Sequence, residues 1–273
     1  MARPFILITN DDGIQAPGIR HLWEAVQEHA DIAIIAPHTE KSGCGLGITW
    51  TKPLNVRPIQ WEGNTPAWSV TGTPADCVKM GVSIILDRRP DLVLSGINNG
   101  SNAGRTVLYS GTVGGVIEAA FKNIPGIAFS FADGQGPSLA VTKKYISPLV
   151  MHVLKNPLPQ GTFLNVNFPQ NADQRIVGMR MAKQGLGHFV EEPDRRIHPE
   201  GVPYYWLGGK WSSCEEEPES DVALMQQGFI AVVPIHVNQL TDQAAFKQHK
   251  AAVDQLFTDL DPAAELPPAG RTR

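Results

Sequence analysis

The chain reads as an α/β protein built on a doubly wound, mostly parallel sheet, followed by a β-rich, irregular C-terminal extension and a C-terminal helix. Three observations predict this. Short all-apolar runs recur along the first half, stretches with apolar residues at helical spacing separate them, and small polar clusters close several of the runs. A strand buried on both faces reads as a continuous apolar run. Strand, helix and strand in succession imply parallel pairing through a right-handed crossover.

The elements follow in order. "FILIT" (5–9) is the first buried strand; Pro17, Ile19, Leu22, Trp23 and Val26 recur at helical spacing, and "DIAIIAP" (31–37) is the second strand. "PAWSVTGTPADCVKMGVSIIL" (66–86) predicts a strand, a Gly-Thr-Pro turn, and a helix starting near Pro74 with Ala75 and Asp76 in its first turn. Proline suits that start because its φ is already helical. "PDLVLSGIN" (90–98) is a further strand, a helix runs from about Thr112 to Lys122, and "GIAFSF" (126–131) completes the doubly wound part.

From Asp133 the rhythm loosens. "PSLAVTKKYISPLVMHVLKN" reads as a helix despite Pro148, while "TFLNVNFP" (162–169) and "GFIAVVPIHV" (228–237) read as strands. Residues 185–220 are rich in Gly, Pro, aromatics and acids and lack periodicity, so they are expected to pack on another subunit or cover a site. Residues 242–260 predict an amphipathic helix and 261–273 a frayed tail. The organisation expected is a single domain over 1–260, with a core at about 1–150 and an oligomerisation or extension region at about 160–240.

Composition narrows the function. The net charge of −4 and the scattering of Lys and Arg argue against a nucleic-acid polymer held along its phosphates. Cys44, Cys77 and Cys214 are odd in number and far apart, which fits neither a disulfide framework nor a zinc knuckle. The N-terminal apolar run is too short for a secretory signal, and no segment approaches the ~20 apolar residues of a membrane span. A cytoplasmic setting without membrane partners is the expectation.

Ligands of open parallel sheets collect beyond the carboxyl ends of the strands, near the point where strand order reverses. Three polar clusters close strands in this way: "NDDG" after the first, "EKSGCG" after the second, and "SGINNGSN" after a later one. Together they offer Asp11, Asp12, Ser42 and Asn98, all hard oxygen donors, which favours Mg²⁺, Mn²⁺ or Ca²⁺ over zinc or copper. A cation would also account for two adjacent carboxylates in a partly dry cleft, where like charges push one pKa upward. Asn-Asp-Asp-Gly is also an ordinary turn and cap sequence. "SGTVGG" sits at a predicted helix start, where free N–H groups and the hydroxyls of Ser110 and Thr112 favour an anion; capping alone would explain the same residues. Asn102 and Arg105 are further candidates for that anion, and for Arg105 a solvated face is an equal reading.

Several patterns are absent. There is no GxxxxGK[ST] and no G-x-S-x-G, and "GCGLG" (43–47) lacks the spacing and helix context of a dinucleotide fingerprint. The sharpest rival is the haloacid-dehalogenase pattern of a strand followed by D-x-D-G-T. Aligned on Gly13, it puts Asn10 where the nucleophile belongs, and an amide cannot form an aspartyl-phosphate. Phosphoryl chemistry on metal-activated water stays open. None of the eight histidines neighbours a candidate nucleophile; His38, His188, His198 and His236 are expected at the surface or an interface.

"ILITNDDGIQAPGI", "IIAPHTEKSGCG", "VTGTPADCVKMG", "PDLVLSGINNGSNAG", "VLYSGTVGGVIEA", "FLNVNFP" and "SDVALMQQGFIAVVPI" resemble, in order and spacing, the SurE family of metal-dependent nucleotidases, from residue 5 to about 237. The resemblance implies a Rossmann-like fold and hydrolysis of nucleoside 5′- or 3′-monophosphates, with polyphosphate as a further substrate in some members. It implies one divalent metal ion per subunit, Mg²⁺ or Mn²⁺, held by Asp11, Asp12, Ser42 and Asn98, with Asp11 or Asp12 as general base. It places Ser110, Gly111 and Thr112 at the substrate phosphate with Asn102 nearby, and implies a homodimer or homotetramer with exchanged C-terminal segments. Gly114 and Gly115 stand where the family tends to have alanine, "RRIHPEGVPYYWLGG" departs from its usual charges, and Ser220 replaces a common threonine. The alternatives are a non-catalytic nucleotide-binding regulator, for which four oxygen ligands would be superfluous, and a glycosyltransferase half, against which the lack of a second α/β unit speaks.

Overall fold

The structure is a computed structural model that describes residues 3–132, 139–170, 176–212 and 214–260. The expected tail at 261–273 lies outside the described residues. The chain divides into two compact units, Met1–Val237 and Asn238–Arg273; the second holds one described helix, α6 (Gln243–Leu260).

The first unit opens with β1 (Phe5–Thr9), α1 (Pro17–Val26), β2 (Asp31–Pro37), β3 (Val56–Ile59), β4 (Ala67–Val70), α2 (Pro74–Met80), β5 (Leu92–Asn99), α3 (Gly111–Phe121), β6 (Gly126–Phe131), α4 (Leu139–Lys155) and β7 (Thr162–Phe168). It closes with β8 (Gly178–Met181), β9 (His188–Val190), β10 (Asp194–Ile197), β11 (Pro203–Trp206), β12 (Lys210–Ser212), α5 (Asp221–Gln226) and β13 (Phe229–His236). One nine-stranded sheet has the order β3-β4-β2-β1-β5-β6-β7-β13-β8. From β4 to β7 every neighbour is parallel; β3 and β13 pair antiparallel at the two flanks.

The apolar runs become central strands because both faces are covered. Ile6 and Ile8 of β1 enter a core with Ile19 and Leu22 of α1 and Ile146 and Val150 of α4. Leu7, between them, points the other way into a cluster with Cys77 and Val78 of α2 and Ala119 of α3. Each fully buried Leu or Ile stabilises the fold by about 1.5–3 kcal/mol. The helix expected across Pro148 is present as α4. Thr73 caps α2: its hydroxyl accepts from the Asp76 N–H at 3.2 Å while Asp76 accepts from the Thr73 N–H at 3.0 Å.

β3 and β8 are strands beyond those expected from the apolar runs, and the segment 185–220 is not irregular throughout. That segment contains two antiparallel pairs, β10 with β11 and β12 with β9. These strands are three or four residues long and largely exposed, so they show neither alternation nor an apolar run. Among the described residues no helix is long and apolar enough to cross a membrane.

Strand order reverses between β1 and β5, since the chain winds outward to β4 and returns on the other side of β1. Gly18 lets α1 approach β5 there: a Cβ at that position would overlap the Ile97 carbonyl oxygen. In an open helix Gly→Ala gains about 0.5–1 kcal/mol. Gly18→Ala should instead destabilise by about 1–3 kcal/mol through overpacking, seen as a lowered melting temperature; an increase would show that the two backbones are not in contact.

Candidate active site

The turn after β1 is built by its own residues. Asn10 is buried and its Nδ2 donates to the Gly13 carbonyl at 2.8 Å. Gly13 has φ 97°, a conformation that a side chain disfavours. The turn sends Asp11 inward, where it is 3% exposed, and leaves Asp12 half-buried.

The start of α3 closes over Asp11. Ser110 caps the helix, its Oγ accepting from the Val113 N–H at 3.1 Å. The Thr112 hydroxyl donates to Asp11 Oδ1 at 2.5 Å. A Cβ on Gly111 would lie 2.8 Å from both Asp11 Cβ and Cys44 Sγ, so this close approach requires glycine.

The loop after β2 and the end of β5 supply the other sides. The Lys41 N–H donates to the Asp11 carbonyl at 2.7 Å. Ser42 is exposed and its hydroxyl donates to Glu40 Oε1 at 2.7 Å. Asp12 Oδ2 accepts from the Asn99 N–H at 3.2 Å. Asn98 donates its Nδ2 to the Gly100 carbonyl at 2.8 Å, and because a carbonyl can only accept, that bond fixes which amide atom is oxygen. The Asp11–Asp12 turn is thus tied to the end of β5, where Asn98 stands, and to the loop that carries Ser42, at the reversal point between β1 and β5.

Asn102 stands behind this edge. Its Nδ2 donates to Ser130 Oγ at 2.7 Å and to Thr112 Oγ1 at 3.4 Å. Its backbone is held from β7, with the N–H on Asn167 Oδ1 at 2.8 Å and the carbonyl on Asn165 Nδ2 at 2.9 Å. Asn165 and Asn167, both fully buried, were not singled out from the sequence. Two amides at alternate positions of an apolar strand, "NVN", were the available signal.

Burial is the main cause that pushes the Asp11 carboxyl up to about 6; the Asp12 charge adds to it, and hydrogen bonds from Thr112 oppose it. Burial also raises Asp12, against the Asn99 N–H, and Glu40 adds to the rise. Two carboxylates so placed favour a cation. Asp11 and Asp12 supply carboxylate oxygens and Asn98 an amide oxygen, and Ser42 adds a hydroxyl on a solvent-facing loop. This oxygen-only set fits a hard divalent ion. Among the described residues no three His, Cys, Asp or Glu side chains gather to hold a metal.

The model of the family described as Survival protein SurE matches residues 6–191. The chain belongs to the SurE family. It is 44% identical over 255 residues to the 5′-nucleotidase SurE of Protochlamydia amoebophila, covering 93% of this chain and 98% of that one. With the 5′-nucleotidase SurE of Moorella thermoacetica it shares 40% over 248 residues, or 90% and 95% of the two chains. The crystal structure of the SurE protein from Aquifex aeolicus superposes with a TM-score of 0.78 at 36% identity, covering 92% of this chain and all of that one.

Two residues of this SurE chain that were expected at the phosphate hold hydrogen bonds within the protein. The O–H of Thr112 donates to Asp11, so Thr112 positions that carboxylate. The Asn102 amide is likewise committed to Ser130 and Thr112. Among the described residues, Ser110 Oγ accepts from the Val113 N–H and donates to none. The glycines in place of alanines have a steric reason: a Cβ on Gly114 would overlap the Gly45 carbonyl, and one on Gly115 would come within 3.0 Å of Thr9 Cγ2.

Because the folded-state pKa of Asp11, about 6, lies above its ordinary 3.8, the contribution of this group to stability is present below about pH 4 and lost as pH rises to 6. Its ionised form at neutral pH costs the metal-free protein about 3 kcal/mol. Asp11→Asn should therefore raise the melting temperature in EDTA at pH 7.5 by roughly 5 °C, with the gain vanishing near pH 4. Scanning calorimetry at the two pH values checks it, and a lowered melting temperature at pH 7.5 would contradict it.

Proposed function

We propose that this chain is a divalent-metal-dependent 5′-nucleotidase, a phosphomonoesterase that releases phosphate from nucleoside 5′-monophosphates. The observation that carries the reading is the Asp11 carboxylate, sealed beneath the first turn of α3, with Asp12 and Asn98 beside it at the reversal point of the sheet. Curated relatives bearing the name 5′-nucleotidase SurE, at 38–44% identity, support the same activity.

Asp11, Asp12, Asn98 and Ser42 would hold one Mg²⁺ or Mn²⁺, Ser42 exchanging Glu40 for it. Such an ion supplies Lewis acidity toward a phosphate oxygen and lowers the pKa of water. The chain does the rest. Thr112 keeps Asp11 in place and lowers its proton affinity. Asp12, the more open of the two carboxylates, is the better placed to take a proton from the attacking water. The Ser110 O–H and the Gly111 N–H at the start of α3 would neutralise the equatorial phosphate oxygens. Asn10, buried and turned onto Gly13, has no nucleophilic part.

Phosphate release from a panel of nucleoside 5′- and 3′-monophosphates and polyphosphate, with EDTA or with added Mn²⁺ or Mg²⁺, tests the assignment. EDTA should abolish the activity and metal should restore it. Asp12→Asn and Asn98→Ala should each lower kcat/KM by roughly 100-fold or more with an unchanged circular-dichroism spectrum. Full activity in Asp12→Asn would sink the reading; tight nucleotide binding without release would favour a regulator instead.

The assembly we propose is a homodimer or homotetramer in the cytoplasm, a setting that the three free cysteines suit. The β10–β11 pair leaves Ile197, Tyr205, Trp206 and Leu207 more than 60% exposed, an apolar surface of the kind that partners cover. Light scattering should give a multiple of the 29.7 kDa chain mass, and Tyr205→Asp with Trp206→Asp should shift it toward one chain.

A further inference from the structure

Beyond the ends of β5, β6 and β7 lies a cavity of about 520 Å³. Its lining includes Gly100 and Ser101, on the loop that leaves β5, Phe189 of β9, Trp211 of β12, Gln170 and Gln226. Its size falls within the usual range for small-molecule sites. Nothing in the metal and phosphate chemistry above uses it. It lies on the same edge of the sheet as Asp11 and Asp12, and Gly100, one of its lining residues, accepts from the Asn98 amide at 2.8 Å.

The aromatic wall is fastened to that loop. Asp221, fully buried, accepts from the Gly104 N–H at 3.0 Å and the Gly185 N–H at 2.9 Å, and the Arg105 N–H donates to the Gly187 carbonyl at 2.8 Å. Glu216 accepts from the Gly187 N–H at 2.7 Å. Trp211 packs on Gly187, where a Cβ would come within 2.5 Å of its ring. Phe189 and Trp211 meet edge to face at 5.2 Å and 78°. Both rings remain partly open, Phe189 at 55% and Trp211 at 36% exposure. A fixed, solvent-facing aromatic pair flanked by two primary amides suits a flat heterocycle, which stacks on the rings and pairs its edge with the amides.

We infer that this cavity is the nucleobase slot of the enzyme, with Trp211 and Phe189 as the stacking platform and Gln170 and Gln226 as the edge-reading groups. The inference rests on the nucleotidase reading. It makes the β9–β12 pair, within the segment that lacked periodicity, the part of the chain that separates nucleotides from other phosphate monoesters.

The test compares adenosine 5′-monophosphate with ribose 5-phosphate, the same phosphate ester without a base. In the wild type kcat/KM should favour the nucleotide. Trp211→Ala should reduce that preference about tenfold, through KM, and Trp211→Phe should restore most of it. Phe189→Leu, which keeps the apolar volume, provides a second variant should Trp211→Ala loosen the hairpin. An unchanged ratio in both variants would overturn the slot even with the nucleotidase activity intact. Should neither ester be hydrolysed, the nucleotidase reading fails. Calorimetry with adenosine then decides the slot separately: binding weakened about tenfold by Trp211→Ala supports it, and equal binding overturns it.

Discussion

A carboxylate nearly sealed from water, held by the hydroxyl of Thr112, is the interaction on which the rest of the site depends. An ionised group in that position is unfavourable by itself, and the first turn of a helix is one of the few backbone structures that suits it. To bring α3 that close, position 111 must carry no side chain, and the β1 turn must close within three residues through Asn10 and Gly13. The neighbouring loops then attach to the same residue or the one beside it, Lys41 to the Asp11 carbonyl and Asn99 to the Asp12 carboxylate.

The large apolar sheet makes this arrangement tolerable. Ile6, Leu7 and Ile8 are fully buried on alternate faces, so β1 enters the site as a strand locked from both sides. The site sits at the end of that strand, and its unfavourable charge is carried by packing elsewhere. The same division holds on the far side, where β7 anchors the Asn102 backbone through two buried amides and Asn102 in turn braces Thr112. A chain of contacts therefore runs from β7 through Asn102 and Thr112 to Asp11.

Much of this was legible in the residues. The central strands and α1 to α4 follow from apolar runs and helical spacing, because elements covered on both faces must be apolar throughout. Asp11, Asp12, Ser42 and Asn98 could be grouped from strand-end position alone, since a doubly wound sheet brings such ends to one edge. The short strands β8 to β12 were not legible: three or four exposed residues leave no periodic trace. Asp221 escaped notice for a related reason. Its partners, Gly104 and Gly185, are backbone groups far away in the chain, and a backbone N–H has no signature in a sequence.

By itself, then, the sequence determined the α/β class and the polar clusters that close the strands, since these depend on local composition and on rules of winding. The tertiary structure alone decided what each polar atom does. Thr112 could donate to an anion or to Asp11, and only the approach of α3 to β1 commits its one proton to the carboxylate. Trp211 and Phe189 could be a partner surface or a platform, and only the anchoring of 185–187 to Gly104 and Arg105 sets them beside the loop that leaves β5. The physical reason is the same in both cases: a hydroxyl or an aromatic ring carries no preference for a partner until distant backbone is packed against it.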